Sequence, residues 1–94
     1  MGWTLSRELE FQQRMRALDA LRSGRVLVFT NPNYPDRYGV ALRLRDGGIK
    51  YRLFFTDYVR FLAYENVVSE NDVWELMTYG WEPRIGKLSN YRRR

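Results

Sequence analysis

The sequence predicts an α+β domain in two layers: an N-terminal helix, a three-stranded antiparallel sheet and two C-terminal helices on one sheet face, in the order α-β-β-β-α-α. Three observations carry this expectation. Phe11, Met15, Leu18 and Leu21 recur at helical spacing near the N-terminus. Three segments between 25 and 56 alternate or run apolar as strands do, and two of them meet at Asp46-Gly47-Gly48. From residue 56 onward, capping residues bracket apolar stretches of helical length.

Taken in order, residues 4 to 22 form the first helix, with Thr4 or Ser6 as its N-cap and Ser23-Gly24 as its stop. Glu10 and Arg14 make an i,i+4 pair in the favourable orientation. Arg25 to Thr30 forms the first strand. Its two faces, Val26-Val28-Thr30 and Arg25-Leu27-Phe29, are both largely apolar, which places it in the middle of the sheet or beneath a covering segment. Asn31 to Arg37 is rich in turn formers, and its two prolines stiffen a loop that carries Tyr34 and Arg37. Residues 38 to 45 and 49 to 56 form a hairpin.

Thr56 or Asp57 starts a short helix through Glu65, apolar at Tyr58, Val59, Phe61, Leu62 and Tyr64, with Asn66 as a left-handed end. Ser69 caps the last helix, with Asp72 in the acid position of a capping box. Gly80 stands at its C-terminal stop, Trp81 is positioned to fold back, and Pro83 prevents continuation. Residues 1 to 83 are thus expected as one domain and residues 84 to 94 as a basic, partly flexible arm.

The composition narrows the functional classes. With 94 residues, 45% of them apolar, the chain has enough material for one modest core. It holds no cysteine and no histidine, which removes disulfides, thiolate metal sites, the commonest general base and the commonest transition-metal ligand. The expectation is a non-enzyme without cofactor or metal. There is neither a long apolar run nor a signal-peptide pattern, so no membrane partner is expected and the reading is a cytoplasmic protein.

The net charge of +5 is unevenly distributed. Residues 25 to 56 carry Arg25, Arg37, Arg43, Arg45, Lys50 and Arg52 against two acids. Residues 57 to 83 carry six acids against Arg60, and the last eleven residues hold Arg84, Lys87, Arg92, Arg93 and Arg94 with no acid. A two-residue turn at Asp46-Gly47 or Gly47-Gly48 would send Arg43, Arg45, Lys50 and Arg52 to one face and the apolar residues to the other. With the turn at Gly47-Gly48, Arg45 faces Lys50, Arg43 faces Arg52, and Phe54 stands opposite Ala41 on the basic face. Like charges directly across a ladder repel, so four cations concentrated there imply an anion to meet.

The leading expectation is therefore a small nucleic-acid-binding protein, for DNA or RNA. It would lay Arg43, Arg45, Lys50 and Arg52 on phosphates and stack a base on Phe54. Arg25, Tyr34, Arg37, Arg84, Lys87 and Arg92 to Arg94 would extend the footprint. The alternative is a protein-interaction module or inhibitor, homodimeric or with an acidic protein partner, that uses acidic helices and exposed aromatics such as Trp3, Tyr79 and Trp81. A helix-turn-helix over 57 to 80 is disfavoured, because Glu70-Asn71-Asp72 would lead a recognition helix into phosphates with acids.

Overall fold

The computed structural model describes residues 2–57 and 62–86, with side chains from residue 7 onward. Helix α1 (Gly2–Arg22) is followed by strands β1 (Val26–Thr30), β2 (Arg37–Arg43), β3 (Ile49–Phe55) and β4 (Leu62–Val68), helix α2 (Glu70–Thr78) and strand β5 (Glu82–Gly86). The five strands form one antiparallel sheet in the order β4-β3-β2-β1-β5. Among the described residues the protein is α+β, with two helices and a five-stranded sheet. This corrects the expectation of three strands with two C-terminal helices.

Both added strands have a physical cause. Residues 62–68, expected as helix up to Glu65 with Asn66 as its cap, alternate along an edge strand. Tyr64, Asn66 and Val68 pair with Leu53, Tyr51 and Ile49, and Glu65 and Val67 point to the other face. Tertiary pairing with β3 overrides the helical reading of a segment whose last residues are β-branched. The same strand removes the helix-turn-helix possibility. Residues 82–86 look like a tail because of Pro83 and Gly86, yet Glu82 to Gly86 pair in full with Thr30 to Val26. Proline is tolerated there because β5 is an edge strand. Strand β1 thus runs inside the sheet, between β2 and β5.

Helix α1 buries Ala17, Leu18, Ala20 and Leu21, while residues 7–13 are exposed on every side. A 21-residue helix is about 31 Å long and overhangs strands of five to seven residues. Phe11, expected in the inward stripe, is accordingly 54% exposed and meets Trp74 edge to face, centroids 5.5 Å apart. Hydrogen bonds from Arg25 N–H to Ala20 O (2.9 Å) and Gly24 N–H to Leu21 O (3.0 Å) close the helix where the sequence places its stop.

The core lies between both helices and one sheet face. Leu18 and Leu21 of α1 and Val73 and Met77 of α2 cover Leu27, Phe29, Ala41, Ile49 and Tyr51. Arg22 joins the helices at one end, its Nε and Nη2 donating to both carboxylate oxygens of Glu70 at 2.8 and 2.7 Å. That guanidinium holds the Glu70 carboxyl below its usual range. No helix among the described residues is long and apolar enough to cross a membrane.

Both ends of α2 follow the sequence. Ser69 Oγ accepts from Asp72 N–H at 3.1 Å, and Asp72 Oδ2 accepts from Ser69 N–H at 2.9 Å. At the far end Gly80 adopts φ +95°, and Trp81 N–H and Gly80 N–H return to Leu76 O and Met77 O at 3.1 and 3.4 Å. Ser69→Ala is expected to lower the unfolding free energy by about 1 kcal/mol, measured by urea titration, because it strips an N-cap acceptor.

Candidate interaction surface

The hairpin between β2 and β3 decides where the basic residues stand. Leu44 N–H donates to Gly48 O at 2.7 Å and Gly47 N–H to Leu44 O at 3.1 Å, so the loop holds three residues, Arg45-Asp46-Gly47, rather than two. Gly47 takes φ +92°, the left-handed position that closes a three-residue loop, and Asp46 Oδ1 accepts from Gly48 N–H at 2.9 Å. An odd loop reverses the faces of one strand relative to the other. Leu42 therefore faces Lys50, Val40 faces Arg52 and Arg43 faces Ile49, instead of cation facing cation.

The four cations of the expected plate are divided by this register. Arg43 shares the helix-covered face with Ile49 and Tyr51, and its Nη1 reaches Arg22 O at 3.5 Å. Arg45 is exposed in the loop. Lys50 and Arg52 stand on the opposite, outer face, where both meet one carboxylate. Arg52 Nε bonds Glu65 Oε2, and Lys50 Nζ lies 3.8 Å from Glu65 Oε1.

The remaining candidates are distributed as follows. Phe54 faces Tyr38, not Ala41, and stacks on it with centroids 5.2 Å apart. Tyr34 stacks on Trp81 at 5.9 Å with planes 4° apart. Arg37 lies over the rings of Tyr34 and Phe55 and pairs with Asp36. The proline-stiffened loop thus spends its aromatic ring and its arginine on packing. Buried Asn31 fixes that loop to the end of α2, its Nδ2 donating to Tyr79 O at 3.2 Å and its Oδ1 accepting from Asn33 N–H at 2.9 Å. Arg84 belongs to β5, opposite Val28. Arg25 is exposed at the start of β1. Lys87 and Arg92 to Arg94 lie outside the described residues.

On the outer face one transverse row reads Glu65, Arg52, Val40, Val28, Arg84 from edge to edge. Apolar residues occupy its centre, and charge gathers towards the edges. The two edges differ. Strand β5 has five residues, with Pro83 inside and Glu82 and Arg84 on its outer face, features that discourage pairing with another chain. Strand β4 has seven residues and neither proline nor cation, its single acid is engaged by Lys50 and Arg52, and its ladder with β3 is regular from Tyr64 to Val68 and shifts register between Tyr64 and Leu62.

The direction of the free backbone groups of β4 follows from the ladder. Leu44 bonds Gly48, and Thr56 N–H bonds Asp36 O at 2.8 Å, so the even-numbered residues of β3 bond towards β2. The odd-numbered Ile49, Tyr51 and Leu53 then bond towards Val68, Asn66 and Tyr64. Glu65 and Val67 consequently direct their N–H and C=O groups to the open edge. In agreement, Val67 N–H donates to the neighbouring Asn66 Oδ1 at 2.9 Å and not to β3. Leu62, Tyr64 and Val67 are 47%, 46% and 53% exposed along this strand. The helical expectation over residues up to Glu65 hides this edge, because it places Tyr64 on a helix. The alternation of Tyr64, Asn66 and Val68 against Glu65 and Val67 is the signal that finds it.

A cleft of about 510 Å³ opens between α1 and the segments around Asn31 and Trp81, with Glu10, Gln13, Asn33 and Thr78 on its walls. Glu10 pairs with Arg14 at 3.9 Å, and Arg14 lies over the Trp74 ring. Among the described residues no three acidic side chains gather as metal ligands. No protein-family model, curated protein or solved structure matches the chain.

Proposed function

We propose that the protein is a non-enzymatic protein-interaction module that receives an extended segment along β4 by strand addition. The observation that carries this reading is the contrast between the β5 edge, which holds Pro83, Glu82 and Arg84, and the β4 edge, which is regular from Tyr64 to Val68 and carries neither proline nor cation. Outward N–H and C=O groups supply the affinity in this mode, and side chains beside them supply the selectivity. Tyr64 on one face and Val67 on the other are the apolar contacts on offer.

The test is a selection of displayed nonapeptides against the full chain, followed by measurement of the winners on Val67→Pro. Proline at 67 removes an N–H that β3 does not use, so the sheet should persist. Selected peptides should bind the parent and lose about tenfold or more on the variant, the equivalent of one or two hydrogen bonds. Equal binding to both chains defeats strand addition.

A second reading, nucleic-acid binding, is favoured by a different placement of cations from that expected. Arg25 precedes Leu27 by two residues and Arg43 follows its partner Ala41 by two, so both stand on the same face at one end of the sheet, next to Arg45. None of the three has a carboxylate within 4 Å among the described residues, unlike Lys50 and Arg52. Strand β5 ends at this same place, with Gly86 opposite Val26, and Lys87 and Arg92 to Arg94 follow in the sequence. If this end meets phosphates of duplex DNA, replacing Arg25, Arg43 and Arg45 with Gln should flatten the log K against log salt slope by about 2.7, at 0.9 per phosphate contact. The pair Lys50→Gln, Arg52→Gln should leave that slope unchanged. The reverse result, or no binding to duplex, single strands or RNA, removes this reading.

A further inference from the structure

Resting on the nucleic-acid reading, we propose that Arg22 is a fourth phosphate-binding cation beside Arg25, Arg43 and Arg45, and that Glu70 withholds it in the free protein as an internal anion. Arg22 closes α1, and the turn that follows is tight, with Arg25 N–H bonded to Ala20 O at 2.9 Å. Arg43 reaches the same place from the end of β2, its Nη1 3.5 Å from Arg22 O. Arg45 follows it by two residues in the hairpin loop. The fold thus gathers cations from a helix end, two strand ends and a loop at one end of the sheet.

The geometry of the Arg22 contact with Glu70 is the ground for this. Nε and Nη2 donate to Oε2 and Oε1 at 2.8 and 2.7 Å, the two-pronged arrangement that a guanidinium offers to carboxylate and phosphate alike. Asp19, one turn earlier in α1, takes Nη1 at 3.3 Å and leaves those two donors alone. Withdrawal of Glu70 therefore frees a complete fork next to Arg43. The hydrogen bonds from Arg22 first, and the nearby charge of Arg43 last, hold the Glu70 carboxyl below its usual range, so the internal anion stays charged at neutral pH. Both side chains are about half exposed, at 49% and 44%, and such a pair is screened by solvent and open to exchange with a polyanion. Of the four cations Arg22 alone stands in an ion pair among the described residues. Three stay open, and the fourth is held back.

Binding of a short DNA duplex to the full chain, titrated over a range of salt, should tighten about threefold to tenfold in Glu70→Gln, and the log K against log salt slope should steepen by about 0.9, one further phosphate contact. Adding Arg22→Gln to that variant should return the slope to that of the parent. Glu75→Gln, the same charge change further along α2, should leave the slope as it is. The Arg22 Nε–H resonance should move with DNA in Glu70→Gln and keep its place in the parent. An unchanged slope in Glu70→Gln overturns the proposal, as does an equal gain from Glu75→Gln or a gain that survives Arg22→Gln. If Arg25, Arg43 and Arg45 set the slope while Glu70→Gln does nothing, only the internal anion falls and the nucleic-acid reading stands. If neither the parent nor Glu70→Gln binds duplex, single strands or RNA, both fall.

Discussion

Phe29→Ala is expected to lower the unfolding free energy by about 3–5 kcal/mol, the range found for emptying a large aromatic from a packed interior. Phe29 is fully buried and stands in β1, an interior strand paired on both sides. It packs in one cluster with Leu18 and Leu21 of α1, Val73 and Met77 of α2, and Tyr51, whose ring meets it edge-on with centroids 6.3 Å apart. The space left by the ring cannot be closed by one neighbour, because its walls belong to both helices and to β3. A chain of this length has on the order of 5–14 kcal/mol of stability in total. The loss therefore shows as a large fall in the urea midpoint, with the slope of the transition kept. A change below 1 kcal/mol would mean that the helices do not cover β1.

The reach of the sequence reading differed from element to element for physical reasons. The ends marked by Gly24, Ser69, Asp72 and Gly80 were legible because each acts on backbone groups within five residues, and all four do so as expected; the start expected at Thr4 or Ser6 instead falls inside α1, which begins at Gly2, and the end expected at Asn66 falls inside β4. The strands β1 to β3 were legible from alternation. The hairpin register was not, because a loop of two residues and one of three are spelled by the same Asp46-Gly47-Gly48. The choice between them depends on which glycine takes the left-handed position. That single difference moves Arg43 to the other face from Lys50 and Arg52, and the carboxylate beside the latter two comes from β4. Strands β4 and β5 exist through long-range pairing with β3 and β1, a cause that no window of local sequence contains. The candidate surface changed with them. Strand β4 is an edge because the chain returns past β3, and β5 closes the opposite edge because β1 has a second open side.

Gly39→Ala is expected to cost about 2–3 kcal/mol, the upper part of the range for forcing extra atoms into a close-packed site. Gly39 is buried in β2, opposite Leu53, and a Cβ there would stand 2.7 and 2.8 Å from the Cε1 and Cζ atoms of Tyr51 and against its hydroxyl. These are ring atoms of a buried side chain and not the free end of a flexible one. The Tyr51 ring in turn touches Phe29 on one side and Tyr64, at 6.2 Å, on the other, so it cannot swing away without disturbing β1 or the β4 edge. Burial, and then the neighbouring Tyr64, push the Tyr51 hydroxyl up to about 12. This supplies a second readout besides stability. If the added methyl displaces the ring towards solvent, the titration of Tyr51, followed by ultraviolet absorbance, should fall back towards the ordinary value near 10. The raised value also has a sign for stability: its contribution is complete below pH 10 and is lost as the pH rises through about 12, so the variant should lose part of that alkaline dependence. In a Tyr51→Leu background the same Gly39→Ala change should cost markedly less, since the clashing ring is gone, and the double-mutant cycle should return a coupling above 1 kcal/mol. Additive costs would show that Tyr51 does not lie over Gly39, and with that the odd-loop register, which separates Arg43 from Lys50 and Arg52, would also fall.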